Sequence, residues 1–323
     1  MTQRVLITGG AGFIGSHTAD LLLARGCEIE VLDDLSTGKL ENVPEGATFH
    51  RGDVRLPECA RLIRDGTFDA IVHLAAQMDV RRSVADPLFD LDINVRGTLN
   101  VLEAVRSLEK RPRVVFASTG GVLYGDHTRP PNHEVTPKEP DSPYAIAKLS
   151  AEYYLTYYAR IHGLETVALR FANVYGPRQD PHGEAGVVAI LCGRLIDGEP
   201  LKVFGDGLQT RDYVYVTDVA EAIRRALQLP LVAPTRIDAR AFNIGTGVGT
   251  SVLDLASSLR RASGIEVPTQ FAPRRPGEQQ DSFVAVAKAK NELGWMPQVE
   301  LEAGLAETFA WFAARAKAES TIS

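Results

Sequence analysis

The stretch that decides the fold is RVLITGGAGFIGSH, residues 4–17. It begins as an apolar run typical of a buried strand and ends as the start of a helix, with glycines between the two. Gly10, Gly12 and Gly15 fit the pattern GxGxxG, and Gly9, Gly12 and Gly15 fit GxxGxxG. Such glycines let the backbone turn tightly and approach a pyrophosphate, while the helix N-terminus offers free N–H groups. The stretch predicts a dinucleotide site, with a purely structural turn as the alternative.

The first half of the chain repeats this alternation of strand and helix. We predict strands at RVLITG, EIEVLD, ATFHRGD, DAIVHLAA, RVVFAS and ETVALRFANVYG, and helices at IGSHTADLLLARG, LFDLDINVRGTLNVLEAVRS and YAIAKLSAEYYLTYYARIHG. Near-continuous apolar strands that alternate with helices indicate a parallel sheet covered on both faces. The predicted fold class is therefore α/β, a Rossmann-type doubly wound parallel sheet.

The pattern changes after Pro177, where the polar loop RQDPHGEAG is followed by helices separated by short extended pieces. We interpret this part as a smaller C-terminal α/β substrate-binding domain. The predicted boundaries are residues 1–176 for the dinucleotide-binding domain, with segments of about 210–248 returning to it. Residues 177–209 and 249–323 then form the substrate-binding domain.

Composition excludes several classes of partner. The 323 residues carry a mild net charge of −6, which argues against a nucleic-acid surface. Apolar runs are far shorter than a membrane span, and the chain shows no signal-peptide layout. The scattered Cys27, Cys59 and Cys192 suggest reduced thiols and no metal site. We therefore expect a cytoplasmic protein with no metal.

Two aspartates follow predicted strands. Asp33 lies 18 residues after Gly15, where a carboxylate suits the adenosine ribose hydroxyls. Its charge would repel a 2′-phosphate, so NAD is favoured over NADP. Asp53, after the third strand, can reach the adenine in this architecture, although a carboxylate that only caps a turn remains the alternative.

A hydroxyl, a phenol and an ammonium form the candidate catalytic group. FASTGG, residues 116–121, places Thr119 at the end of a strand, and SPYAIAK, residues 142–148, places Tyr144 and Lys148 four residues apart. Residues i and i+4 share a helix face, and an ammonium lowers the pKa of a neighbouring phenol. Tyr144 could then take a proton from an alcohol as hydride leaves its carbon. An ordinary surface Tyr and Lys is the alternative.

Motifs along nearly the whole chain resemble those of one enzyme family. TGGAGFIGSH, LDDLSTG, HLAAQ, SPYAIAK, NVYGPRQDP, TRDYVYVTDVAEA, FNIGTG and RPGEQ resemble the extended short-chain dehydrogenase/reductases, in the NAD-dependent epimerase/dehydratase group. Among these, the chain is most similar to the UDP-glucose 4-epimerases. The resemblance implies NAD as cofactor, a UDP-hexose as substrate, and a homodimer formed through helices at about Pro87–Leu108 and Tyr144–His162.

The resemblance also implies which residues bind the cofactor and react. It assigns the catalytic triad to Thr119, Tyr144 and Lys148. Tyr144 and Lys148 would also contact NAD, together with Gly9, Gly12, Phe13, Ile14, Asp33, Asp34, Ser36, Thr37, Gly38, Asp53, Val54, Leu74, Ala75, Ala76, Asn94 and, at the nicotinamide end, Phe171. Asp34 departs from the family, where Asn is more usual, and its extra carboxylate would strengthen the preference for NAD.

The same resemblance implies a nucleotide-sugar site. Arg211 and Arg275 would grip the diphosphate, for which guanidinium groups are suited, although solvated surface arginines are the alternative. The other implied substrate residues are Val80 and Thr119 at the sugar, Asn173 near the diphosphate, and Val187, Val188, Lys202, Phe204 and Glu278 around the nucleotide.

Two glycines after Thr119 distinguish between reactions within the family. Family dehydratases carry an Asp-Glu pair there, and decarboxylases a Glu at the second position, whereas this chain has Gly120 and Gly121. Neither glycine can transfer a proton, so the resemblance implies only hydride removal from sugar C4 and its return to the other face. The alternatives are a 4-epimerase of UDP-N-acetylglucosamine or UDP-glucuronate, a simple alcohol dehydrogenase, and a non-catalytic NAD-responsive binding protein.

Overall fold

The helices and strands were assigned from a computed structural model that describes residues 2–181, 186–274 and 279–322. In these ranges the strands are β1 Arg4–Thr8, β2 Glu28–Asp33, β3 Thr48–Arg51, β4 Ala70–His73, β5 Arg113–Thr119, β6 Thr166–Phe171, β7 Asn173–Tyr175, β8 Leu201–Phe204, β9 Thr210–Arg211, β10 Tyr213–Tyr215, β11 Ala241–Ile244, β12 Thr250–Ser251, β13 Thr269–Ala272 and β14 Asp281–Ser282. The helices are α1 Phe13–Ala24, α2 Pro57–Asp65, α3 Val80–Ala85, α4 Pro87–Leu91, α5 Thr98–Arg106, α6 Pro143–His162, α7 Val187–Ile196, α8 Val216–Ala226, α9 Val252–Ser263, α10 Ala287–Glu292 and α11 Leu301–Ile322.

The central sheet confirms the predicted doubly wound α/β fold. Its described strands lie in the order β11-β6-β5-β4-β1-β2-β3, and all neighbours are parallel. The apolar side chains of α1 and α8 pack on one face, and those of α2, α5 and α6 pack on the other. The chain turns back between β1 and β4, and the carboxyl ends of these strands form the crevice in which this fold binds ligands.

A separate apolar cluster lies beyond the sheet. It joins α7, α9 and α11 with residues of β7, β8 and β10. One strand from this part of the chain, β11, returns to the central sheet and pairs with β6 at its edge. The division into two domains at the residue numbers given above remains a prediction.

Two elements differ from the sequence prediction. The predicted helix over 88–107 is three segments, since a π-helical turn at Asp92–Gly97 separates α4 from α5. The predicted strand over 165–176 is also divided. It leaves the sheet after Phe171, and β7 pairs instead with β10. The second difference depends on β10, which is distant in sequence, so local periodicity does not record it.

The crossover after β7 is tied to the first helix. His17 of α1 hydrogen-bonds through Nε2 to the carbonyl oxygen of Pro177 at 2.9 Å. Arg178, with a φ of 68°, pairs with Asp20 of α1 at 2.7 Å. The segment that follows the sheet is therefore fixed against the helix that begins at the glycine loop. No helix among the described residues has the length and apolar character needed to cross a membrane.

Candidate active site

The glycine loop lies at the carboxyl end of β1, where the sheet order reverses. Gly12 precedes α1 and contributes no side-chain cap, and the first turn of the helix contains no acidic residue. A Cβ on Gly15 would lie 2.2 Å from the Gly9 carbonyl oxygen, and a Cβ on Gly9 would lie 2.7 Å from the Ala75 nitrogen. The loop is therefore packed too closely for side chains, and its helix N–H groups suit the phosphates of a dinucleotide.

Asp33 ties this loop to the second strand. Its carboxylate accepts hydrogen bonds from the backbone N–H of Ala11 at 3.0 Å and of Leu35 at 2.9 Å. Burial raises the pKa of Asp33, and the two backbone hydrogen bonds oppose that rise. A Cβ on Gly38 would lie 2.8 Å from this carboxylate, so Gly38 closes over it. Exposed Asp34, Ser36 and Thr37 lie beside it.

The other predicted cofactor residues have different surroundings. The carboxylate of Asp53 is held by Arg55, whose backbone N–H donates at 2.8 Å and whose Nε donates at 2.9 Å. An aspartate that accepts from the backbone N–H two residues later caps a turn, which is the alternative role considered for Asp53. Asn94 uses its amide to hold Gln77, accepting from the Gln77 N–H at 3.1 Å and donating to its carbonyl at 2.9 Å. Phe13 and Ile14 lie in the first turn of α1, and the Phe13 ring packs against His17. Val54 and Phe171 are buried. The segment that directly follows β4 contains Leu74, Ala75 and Ala76.

The start of α6 fixes the candidate catalytic pair. The Ser142 hydroxyl accepts a hydrogen bond from the Ala145 N–H, and Pro143 occupies the first turn, so the helix begins immediately before Tyr144. Lys148 is 3% exposed, and its Nζ donates to the Ala117 carbonyl at 3.0 Å. Nζ also lies 5.9 Å from the centre of the Tyr144 ring. The structure therefore brings the predicted phenol and ammonium together against β5.

The two groups have opposite pKa shifts with the same main cause. Burial raises the pKa of Tyr144 above its usual range and lowers the pKa of Lys148 to about 8. Lys148 is therefore mostly protonated at neutral pH. Thr119 is the last residue of β5 and is 8% exposed. It lies two residues after Ala117, whose carbonyl accepts the hydrogen bond from Lys148 Nζ. A phenol, an ammonium and a hydroxyl thus lie at one edge of the sheet.

The predicted substrate residues have different surroundings in the structure. A Cβ on Gly121 would lie 3.1 Å from Asn173 Oδ1 and 3.9 Å from Thr119 Oγ1, so Asn173 lies beside the triad. Val80 begins α3, and Val187 begins α7 with Val188 buried in the apolar cluster. Lys202 lies 5.1 Å from the Phe204 ring. Arg211 donates to the carbonyls of Thr210 and Gln279. The predicted Arg275 and Glu278 lie outside the described residues.

Comparison with known proteins shows the family to which the chain belongs. Residues 5–245 match the family described as NAD dependent epimerase/dehydratase family. The chain belongs to that family. A UDP-glucose 4-epimerase of Mycolicibacterium smegmatis is 42% identical over 96% of this chain and 98% of its own length. These matches confirm the resemblance that the motifs predicted.

Solved structures give the same result. The UDP-glucose 4-epimerase of Thermotoga maritima with UDP-glucose is 42% identical, with a TM-score of 0.92 over 97% of this chain and all of that one. The UDP-glucose 4-epimerase of Thermus thermophilus in complex with NAD is 44% identical, with a TM-score of 0.89 over 96% of this chain and 99% of that one.

This family member also contains a buried charge network that the sequence analysis missed. Glu152, one turn after Lys148, accepts hydrogen bonds from Ser118 of β5 and from Arg170 of β6. Arg170 also donates to Tyr124 and to Asp238. The network joins the three elements that carry Thr119, Lys148 and Phe171. The i+4 spacing of Glu152 from Lys148 was the one local signal for it.

Proposed function

We propose that this protein is an NAD-dependent nucleotide-sugar 4-epimerase that interconverts UDP-glucose and UDP-galactose. The observation that carries the proposal is the Tyr144–Lys148 pair packed against the end of β5, directly before two glycines. Family membership and relatives named UDP-glucose 4-epimerase support it.

The residues of the glycine loop fit NAD. The crowded Gly9 and Gly15 and the uncapped start of α1 suit its pyrophosphate, and buried Asp33 suits a ribose without a 2′-phosphate. When bound, NAD would accept hydride from sugar C4 and return it. Tyr144, Lys148 and Phe171 would lie toward the nicotinamide.

The remaining chemistry belongs to the side chains. Burial and the charge of Asp90 raise the pKa of Tyr144. The phenolate therefore depends on the positive charge of Lys148, whose Nζ lies 5.9 Å from the centre of the Tyr144 ring. Tyr144 takes the proton of the C4 hydroxyl, directly or through Thr119, and returns it when the hydroxyl is restored. The same two proton transfers serve both directions, because the two C4 epimers differ only in the face from which the hydrogen returns.

Gly120 and Gly121 restrict the site to this reaction. A Cβ on Gly120 would lie 3.0 Å from the Arg170 carbonyl oxygen and 3.1 Å from a methyl of Val284. Gly120 therefore packs against the sheet, and Gly121 leaves the space between Thr119 and Asn173 free of a side chain. We assign the nucleotide to Asn173, Lys202, Phe204 and Arg211, with Arg275 and Glu278 following from the family resemblance.

Proton NMR of the anomeric signals tests the function. We expect the purified protein, given UDP-glucose and no added NAD, to form UDP-galactose until the ratio is constant. A need for stoichiometric NAD would indicate an alcohol dehydrogenase instead. An unchanged spectrum from protein that carries NAD would reject UDP-glucose as the substrate.

We further infer a homodimer through α4 and α6. The exposed face of these helices is apolar, with Leu88 at 77% and Ile161 at 63% exposure. The same face includes Leu91, Ile146, Tyr154 and Tyr157. Exposed apolar patches of this kind mark protein interfaces, and two copies would form a four-helix contact.

Replacing Leu88 with Glu tests this interface. Burying a carboxylate between two apolar faces is costly, so we expect the dimer to weaken by at least about tenfold. Light scattering after size-exclusion chromatography measures the change. Leu40→Glu is the control, because Leu40 is 57% exposed on the turn at Leu40–Asn42, away from this face. Equal dimer fractions in the two variants would reject the interface.

The cysteines support a proposal for the compartment. Cys27, Cys59 and Cys192 are all free thiols. Free thiols fit a reducing compartment, and we propose the cytoplasm.

A further inference from the structure

A buried carboxylate on α4 has one oxygen without a hydrogen-bond partner. Asp90 is 1% exposed, and its Oδ1 accepts from Gln77 Nε2 at 2.8 Å and from Asn94 Nδ2 at 2.9 Å. Its Oδ2 is buried and has no hydrogen-bond partner among the described residues. Such an oxygen is costly to bury, so its position calls for a physical explanation.

Opposing influences act on the pKa of the Asp90 carboxyl group. Burial raises its pKa, while hydrogen bonds from Gln77 and Asn94 and the charge of Lys148 oppose the rise. As a carboxylate, Asp90 has no hydrogen-bond donor at Oδ2 among the described residues, so a positive charge nearby would offset the cost of burying it.

Lys148 is a buried cation on the neighbouring helix α6. The helix α4 packs against α6, which carries Lys148. The ammonium is also buried, and the hydrogen bond described for it, to the Ala117 carbonyl, uses one of its three hydrogens. Burial lowers the pKa of Lys148, and the charge of Asp90 is the largest influence in the opposite direction.

The other charges around Lys148 are already balanced. Glu152 on α6 is bonded to Arg170, with both side chains fully buried. His73 of β4 is neutral, because burial lowers its pKa to about 3. The Thr98 hydroxyl donates its hydrogen to the Asn94 carbonyl, so it must accept a hydrogen bond from Nε2–H of His73. Nδ1 of the neutral ring then carries no hydrogen and accepts from the Thr8 hydroxyl. The remaining charged groups on the elements that pack against α6 are paired or exposed. Asp92 pairs with Arg96, Glu103 with Arg106 and Arg113 with Glu165, and Arg81, Arg82 and Asp86 are exposed.

We propose that the Asp90 carboxylate is the buried counter-charge of Lys148 and acts on the reaction through it, as a positioning residue. The inference rests on the proposed function, since it concerns the same Tyr144–Lys148 pair. Gln77 and Asn94 hold the carboxylate in place, and Asn94 lies on the π-helical turn that follows α4. Asp90 and Asn94 are four residues apart, a spacing that places both side chains on one face of the helix, where they contact Gln77.

The consequence for pH dependence has a definite sign. The negative charge of Asp90 favours the protonated form of both Lys148 and Tyr144. Removing it lowers the pH at which the coupled pair loses its first proton. We expect Asp90→Asn to lower the apparent pKa of Lys148 by roughly one pH unit. The acidic limb of the kcat profile should move in the same direction.

An NMR titration tests this without substrate. The Hε and Cε signals of labelled lysine are followed against pH in the protein as purified, with Lys148→Met identifying the signal. Asp90→Asn keeps the shape of the side chain and the oxygen that accepts from Gln77 and Asn94. Asp86→Asn is the matched control, because it removes a charge from the exposed N-cap of the same helix and an asparagine still caps it. Asp90→Glu retains the charge and should restore the Lys148 titration.

Each outcome decides the proposal. A downward shift in Asp90→Asn, absent in Asp86→Asn, supports it, and Asp90→Ser serves the same comparison if the Asn variant does not fold. An unchanged Lys148 titration, or an equal shift in Asp86→Asn, overturns it. If the substitution shifts the titration but the wild type does not epimerise UDP-glucose, the counter-charge stands and the proposed substrate fails.

Discussion

Replacing Tyr144 with Phe should remove nearly all epimerisation and leave NAD bound. The phenol is the proposed base, and positioned acid–base catalysis contributes about 10²–10⁴-fold, so we expect kcat to fall by about 10³-fold. The ring that packs near Lys148 is kept, and the glycine loop and Asp33 are untouched. The anomeric NMR assay measures turnover, and absorbance of the nucleotide released on denaturation measures bound NAD.

Tyr153→Phe is the matched control for this substitution. Tyr153 lies on the same helix α6 and is 58% exposed, on the face proposed to form the dimer. Phenylalanine keeps the apolar ring there, so the control removes the same atom outside the catalytic group. We expect its turnover to equal that of the wild type. If Tyr144→Phe retains more than about a tenth of the wild-type turnover, the loss is smaller than positioned acid–base catalysis supplies. That result would show that another group is the base.

Replacing Gly15 with Ala should abolish cofactor binding. The added Cβ would lie 2.2 Å from the Gly9 carbonyl oxygen and 2.7 Å from the Gly10 Cα, both of which are backbone atoms that cannot rotate away. The start of α1 must move from the loop, and overpacking of this kind costs about 1–3 kcal/mol. We expect protein purified without NAD and a lower melting temperature. Calorimetric titration with NAD measures the remaining affinity.

Gly193→Ala provides the control for a new methyl group. Gly193 lies inside α7, and a Cβ there would meet nothing within 4 Å. Alanine is favoured over glycine inside a helix, so this variant should be more stable by about 0.5–1 kcal/mol and bind NAD normally. Full NAD occupancy in Gly15→Ala would reject the glycine loop as the pyrophosphate site.

The sequence predicted those features whose signals are local. The glycine spacing after β1, the run of apolar strands and the i, i+4 placement of Tyr144 and Lys148 each follow from neighbouring residues. They were sufficient for the doubly wound fold, the family and the position of the candidate base. The roles of the individual cofactor and substrate residues remain predictions.

Tertiary structure decided what depends on partners distant in the chain. The departure of β7 from the central sheet depends on its pairing with β10. The Glu152–Arg170 pair and the burial of Asp90 are equally absent from any local pattern. Sequence periodicity records which side of an element is apolar, but a charge acquires its role from the dielectric and the counter-charges around it, and only the folded chain assembles these.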